Sequence, residues 1–145
     1  MKRYEHTQVG YLIIIIMTAV MALIGVILAN VCINWIAMGV MVVIAIALVL
    51  FSSLAVVIRE DELEVRFGPG LISKRFKLQD IESCQVVRNP FFYGWGIRLT
   101  PHGWLYNVSG FYAVGVRFRT GKKFRIGTDA PGELEAAIRQ ALSTR

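Results

Sequence analysis

A long stretch without charge constrains this 145-residue chain more than any other feature. Residues 6–58 contain no Asp, Glu, Lys or Arg. One membrane-spanning helix needs about 20 apolar residues, so this stretch holds two spans, 9–29 and 35–51, joined by the short link 30–34. Because backbone polar groups in lipid must be satisfied internally, both spans are predicted to be helices. The short link then makes them an antiparallel hairpin.

Charges next to the spans predict how the hairpin crosses the membrane. Lys2 and Arg3 precede the first span, as in a cleaved signal peptide, but the apolar run is longer than a signal peptide requires and a second span follows at once. Both spans are therefore predicted to be retained. Arg59 follows the second span and the link is uncharged, so the positive-inside rule places both chain ends in the cytoplasm. Cys32 and Cys84 then lie on opposite sides of the bilayer and do not pair.

Small residues recur along the first span. Thr18, Ala22, Gly25 and Ala29 are spaced four, three and four residues apart, which places them on one helix face. Small side chains let a second helix approach closely. We interpret this seam as the surface that closes the hairpin, and the alternative is a seam between two copies of the chain.

The pattern after about residue 52 is typical of a β-rich domain. Leu63, Val65 and Phe67 alternate with charged residues, which indicates a strand with one buried face. About seven such strands follow in hairpins, and the segment "APGELEAAIRQAL" predicts one amphipathic helix after them. The sequence therefore predicts an α-helical membrane hairpin, residues 1–54, followed by a small mainly-β domain, residues 55–145. Its seven or so strands are predicted to be antiparallel, because no strand–helix–strand alternation is present.

Two hairpins predict which side chains face outward. A three-residue loop ending in a left-handed Gly121 pairs Val116 with Phe124. That register directs four basic residues outward: Arg117, Arg119, Lys123 and Arg125.

The second hairpin turns at "TPHG", where Pro101 and Gly103 suit a type I turn. If Arg98 lies opposite Tyr106, then Arg98, Trp104 and Tyr106 share an outward face. A slip of one residue reverses that assignment.

The segment between these hairpins is unusually aromatic. Residues 89–112 hold eight of the sixteen aromatic residues, and "NPFFYG" places Phe91, Phe92 and Tyr93 in a row. Because the domain follows the second span almost without a linker, we expect these three side chains, with Arg88, at the membrane interface, where aromatic residues concentrate. Packing against the domain's own core or helix is the alternative.

Charge in the β-rich part favours the same surface. Residues 66–127 contain eleven Lys and Arg but only two acids, Asp80 and Glu82. Anionic headgroups attract basic residues near the surface by about 1 kcal/mol each. Ordinary solvated strand faces are the alternative explanation. Nucleic-acid binding is not predicted, because a basic, aromatic sheet permits it but no recognition motif is present.

Three segments carry a resemblance to a known family. "RFGPGL", "RNPFFYGWGIRLTPHGWLYNVSG" and "RIGTD" resemble bacterial membrane proteins with a pleckstrin-homology-like (PH-like) domain, over residues 56–142. The resemblance implies a PH-like fold and a location in the bacterial inner membrane. The turn at 68–70 is much shorter than the basic loop of phosphoinositide-binding PH domains, which argues against a pocket of that kind.

No residue pattern predicts catalysis. His102 lies in a turn, Ser109 lacks a nucleophile motif, and Asp80 and Glu82 are expected to form salt bridges. No Cys, His or Asp spacing matches a metal site, so we expect no enzyme and no cofactor. The predicted function is a membrane-anchored binding or scaffold module that presents a basic, aromatic surface to a protein partner or to anionic lipid headgroups. The alternative is an accessory subunit of a larger membrane complex, assembled through the hairpin.

Overall fold

The computed structural model describes residues 2–144. The ends of the two predicted domains, Met1 and Arg145, and the Lys2 side chain used in the orientation prediction lie outside the described part. The elements in chain order are β1 (Lys2–Val9), α1 (Tyr11–Asn30), α2 (Trp35–Phe51), β2 (Ser53–Arg59), β3 (Glu62–Phe67), β4 (Ile72–Lys77), β5 (Ile81–Arg88), β6 (Gly96–Thr100), β7 (Gly103–Asn107), β8 (Tyr112–Phe118), β9 (Lys123–Gly127) and α3 (Pro131–Ser143). Two short 3-10 turns, Leu78–Asp80 and Phe91–Tyr93, flank β5.

The strands form two sheets that share one apolar core. One sheet has the order β1-β2-β3-β4 and the other the order β5-β8-β9-β7-β6. Period-two alternation directs side chains such as Leu63, Val65 and Phe67 inward, where they are fully buried. Two helices before a β-rich region and one helix after it agree in outline with the sequence-based prediction.

The prediction of about seven antiparallel strands needs two corrections. Residues 2–144 contain nine strands, and β7 runs parallel to β9, with Leu105 opposite Arg125. The parallel pair arises because the chain reverses direction twice, into β8 and then into β9. The free edge of β9 is then filled by the earlier strand β7, which runs in the same direction.

The helical hairpin is an insertion between two paired strands. β1 pairs with β2 up to Val9 opposite Ser53, and the Gly10 amide donates to the Ser52 carbonyl at 2.7 Å. Residues 2–9, which the sequence-based division placed with the helices, thus form an edge strand of the first sheet. We call the end of the sandwich that bears Gly10 and Ser52 the attached end, and the opposite end the far end.

The two long helices form a hairpin in which the half-buried face of α1 includes one of the four residues of the predicted seam. On α1 the half-buried residues include Met17, Met21, Gly25 and Leu28, whereas Thr18, Ala22 and Ala29 are exposed. On α2 the half-buried set contains all of its alanines, which are Ala37, Ala45 and Ala47.

Helix α3 closes one open side of the sandwich. Its apolar stripe is the predicted one, with Leu134, Ile138 and Ala141 buried and Ala137 and Leu142 packed against the core. It lies against β5 and β8 of one sheet and β1 and β2 of the other.

Candidate functional site: the attached end

The attached end brings two turns against the base of the hairpin. A Cβ on Gly10 would lie 3.1 Å from Cβ of Val108, and the Gln8 side-chain amide donates to the Ser109 carbonyl at 2.9 Å. The connection from β7 to β8 therefore lies beside the first residue of the hairpin. On the other side, Gly68 has a φ of +53° and packs under the carbonyls of the last turn of α2, where a Cβ would clash with backbone. The "GPG" motif thus places the β3–β4 turn directly at this end.

Both ends of residues 89–95, which we call the aromatic segment, lie at the same end, whereas its middle extends to the β6–β7 turn, where the Tyr93 and His102 ring centroids are 6.3 Å apart and Phe92 lines a shallow pocket with Thr100 and Pro101. The segment connects β5 at one edge of the five-stranded sheet to β6 at the other edge, so it must cross the sheet. The backbone N–H of Asn89 donates to the Phe111 carbonyl at 2.6 Å, and the Trp95 ring nitrogen donates to the Gly110 carbonyl at 3.3 Å. Both acceptors follow Ser109, so hydrogen bonds link the segment to the base of the hairpin.

The aromatic side chains of this segment divide into covered and uncovered ones. Phe91 and Phe92 are 76% and 71% exposed, whereas Tyr93 and Trp95 are half-buried. The Phe91 and Phe92 rings meet edge to face with centroids 5.9 Å apart, and Phe92 meets Tyr93 in the same T-shaped way at 5.1 Å. The two phenylalanines therefore form an uncovered apolar cluster and are not part of the core.

Other exposed side chains lie beside the segment or at the same end of the sandwich. Arg88 lies over the ring of Tyr112, with its guanidinium carbon 5.9 Å from the ring centroid. Leu71, just after the "GPG" turn, is exposed, as are Phe111 and Tyr112. Sequence reasoning missed Leu71, although "FGPGL" shows an apolar residue directly after a turn. That this turn touches α2 is visible only in the structure.

Two of the predicted contact arginines hold the aromatic segment in place. Arg125 Nη1 donates to Asn89 Oδ1 at 2.7 Å, and Arg98 Nε donates to the Trp95 carbonyl at 3.1 Å. Burial lowers the pKa of Arg125 below its usual range. Arg125 points outward as predicted, but the segment partly covers it.

The register of the β6–β7 hairpin differs from the prediction by one residue. Arg98 lies opposite Leu105, and Ile97 lies opposite Tyr106. Arg98 and Tyr106 are therefore on opposite faces, and the prediction of one outward face with Trp104 is wrong. Tyr106 packs against the core, where burial raises its pKa.

The remaining basic residues lie at the far end. The predicted pairing of Val116 with Phe124 is confirmed, and it directs Arg117 and Lys123 outward near the β8–β9 turn. Arg117 pairs with Glu82 at 3.3 Å, and Arg119 donates to the Gln79 carbonyl at 3.0 Å. The seven residues of β8 span roughly 20 Å, at about 3.3 Å each. That separation exceeds the screening length of about 8 Å at physiological salt. The charges of Arg117, Arg119 and Lys123 therefore act little at the attached end.

The described residues bring no catalytic constellation together. His102 is in the β6–β7 turn, where its amide donates to the Thr100 hydroxyl, and His6 contacts Asp129 across the strand–helix junction. Within residues 2–144 no group of three or more His, Cys, Asp or Glu is placed to hold a metal ion.

Comparison with known proteins adds no assignment. No protein-family model, curated protein or solved structure matches the chain.

Proposed function

We propose that this protein is a membrane-anchored, PH-like binding module of the bacterial inner membrane, with both chain ends and the sandwich in the cytoplasm. Its attached end docks on anionic lipid headgroups through Arg88, Phe91 and Phe92. The observation that carries the proposal is that hydrogen bonds from Asn89 and Trp95 tie both ends of the aromatic segment, and with them the uncovered phenylalanines, to the connection beside the base of the hairpin.

The composition of the helices supports the anchor. Among the described residues, α1 is the helix long and apolar enough to cross a membrane, with 20 residues and a mean hydropathy of 3.0. α2 has 17 residues, or about 25 Å at 1.5 Å per residue, which reaches the lower end of the spanning range when flanking residues are added. Tyr11 at the base of the hairpin and Trp35 near its tip are both exposed. Aromatic residues at both ends suit the two interfaces of a bilayer.

The PH-like assignment rests on architecture and on the resemblance of residues 56–142. Two sheets enclose one core, and a C-terminal amphipathic helix closes one side. In this arrangement β1 is an addition, because it precedes the hairpin and extends the first sheet at its edge.

Docking on the leaflet requires both parts of the cluster. Phe91 and Phe92 expose apolar surface, and moving that surface out of water lowers the free energy of the system. Arg88 adds electrostatic attraction of about 1 kcal/mol when it approaches anionic headgroups. A protein partner at this cluster and a subunit contact through the hairpin are the competing functions. The exposed face with Thr18, Ala22 and Ala29 favours the latter.

Hydrogen exchange of the full chain in lipid nanodiscs tests the docking. We expect amide exchange in residues 89–95 to slow when phosphatidylcholine is replaced in part by phosphatidylglycerol, because docking excludes water. The β8–β9 turn, residues 119–122, is the internal control at the far end and should not change. Equal exchange in both lipid compositions, or slowing that survives the double change Phe91→Ser and Phe92→Ser, would contradict the proposal.

A further inference from the structure

The side of the sandwich opposite α3 remains open. There β4 is the edge of one sheet and β6 the edge of the other, and these two described strands do not pair. A cleft of about 660 Å³ lies between β4 and the β6–β7 hairpin. Folded cores normally leave few voids of this size, and the volume falls within the range of small-molecule sites.

Aromatic rings form the wall of this cleft. The centroids of Phe76 and Phe124 are 4.6 Å apart, those of Tyr106 and Phe124 are also 4.6 Å apart, and Phe118 lies 5.2 Å from Phe76. Trp104, which is 49% exposed, lines the cleft and is partly open to solvent. The wall therefore offers apolar contact to an elongated hydrocarbon chain.

The polar boundary of the cleft is cationic. Lys74 and Lys122 line it together with Lys123, whose side chain the β8–β9 register directs to the outer face of the sheet, and none of the described lining residues is acidic. Lys74 lies opposite buried Val65 and shares the inward face of β4 with Ile72 and Phe76. A lysine on that face can lay its hydrocarbon stem along the apolar wall and keep its ammonium group at the edge. The cleft thus combines an apolar wall with positive charge at the opening.

We propose that this cleft binds a long-chain carboxylate, with the acyl chain along the aromatic wall and the carboxylate at the lysines. A single chain with a compact anionic head matches both the apolar wall and the lysine boundary. The site is separate from the attached end, and its occupancy does not depend on docking at the leaflet.

Photolabelling of the full chain in phosphatidylcholine nanodiscs tests this site. The probe is dodecanoate with a diazirine near the end of its chain, and labelled peptides are mapped by mass spectrometry. We expect labels on the peptides that contain Phe76 and Trp104, and competition by dodecanoate but not by dodecyltrimethylammonium. The change Lys74→Glu should weaken labelling by roughly two- to thirtyfold, because it removes one attraction and adds a similar repulsion. Lys77→Glu is the matched control on the same strand, since Lys77 lies outside the cleft, and it should leave labelling unchanged.

Four results would overturn the assignment. Labels confined to α1 and α2 would mean that the probe only enters the bilayer. Equal competition by the cationic amphiphile, or equal labelling of the Lys74→Glu and Lys77→Glu chains, would remove the role of the lysines. Competition by lysophosphatidate at lower concentration than dodecanoate would assign the cleft to a phosphate head instead of a carboxylate.

Discussion

Replacing Ile138 by Ala tests the packing of α3, on which the sandwich depends. The Ile138 side chain is fully buried between the sheets and the helix. The substitution removes three buried carbon atoms, worth roughly 2.4 kcal/mol at about 0.8 kcal/mol each. The cavity that remains adds to this loss, so we expect a decrease of about 3–4 kcal/mol in the free energy of unfolding, inside the usual range of about 2–5 kcal/mol.

Urea unfolding of the full chain in mild detergent, followed by tryptophan fluorescence, measures this loss. Trp95 and Trp104 are both in the sandwich and report on it. Gln140→Ala, on the exposed face of the same helix, is the matched control and should change stability by less than about 0.5 kcal/mol. An Ile138→Ala chain as stable as the control would refute the placement of α3, and the PH-like proposal with it.

Three further predictions concern the attached end, the insertion and the cysteines. Phe92→Asp should leave urea unfolding unchanged and abolish the lipid-dependent slowing of exchange, whereas His102→Ala should preserve both, because it removes only an exposed ring whose centroid lies 6.3 Å from that of Tyr93. Replacing residues 11–51 by Asn-Gly should give a soluble, folded sandwich by circular dichroism, because the flanking backbone is already hydrogen-bonded at 2.7 Å. A maleimide at pH 7 should label exposed Cys32 well before Cys84, since burial raises the pKa of the Cys84 thiol and its thiolate is scarce.

Each of these expectations has a contrary outcome. Unfolding of the Phe92→Asp chain would place the aromatic segment in the core. Aggregation of the shortened chain would show that the sandwich requires its helices. Similar labelling rates for Cys32 and Cys84 would show that the β5 edge opens readily.

Strands with one buried face could be predicted from the sequence. Val114 and Val116 alternate with outward residues because one side of β8 meets the core, so the β8–β9 register was predicted correctly. The β6–β7 register was predicted wrongly, because side chains on both faces of this hairpin are covered. Leu105 is buried on one face and Tyr106 packs into the core on the other, so alternation carries no information.

The strand before the hairpin escaped prediction for two physical reasons. Its inward residues are Tyr4, His6 and Gln8, so no apolar alternation marks it. Its partner β2 lies beyond the whole hairpin, and local pattern does not reveal a pairing across such an insertion.

The contact between α1 and α2 could not be predicted from the sequence either. α1 is apolar on every side, so small residues such as Ala22 do not by themselves mark the face that meets α2.

The composition of the contact surface was predicted in part. The aromatic character of residues 89–95 is plain in the sequence, but the division between exposed Phe92 and half-buried Tyr93 depends on how the segment crosses the sheet. The separation of Arg88 from Arg117 and Arg119 depends on strand direction, which net charge alone does not reveal.

Quenching by brominated lipid measures contact between the aromatic segment and the bilayer, on which the docking proposal depends. Phe92→Trp keeps an aromatic side chain at the exposed position, and Thr120→Trp places the same probe in the far-end turn. Both full chains are reconstituted in nanodiscs that contain brominated phosphatidylglycerol, and the signal of the unsubstituted chain is subtracted. We expect strong quenching of the tryptophan at position 92 and almost none at position 120. Equal quenching at the two positions, or none at position 92, would contradict the docking proposal.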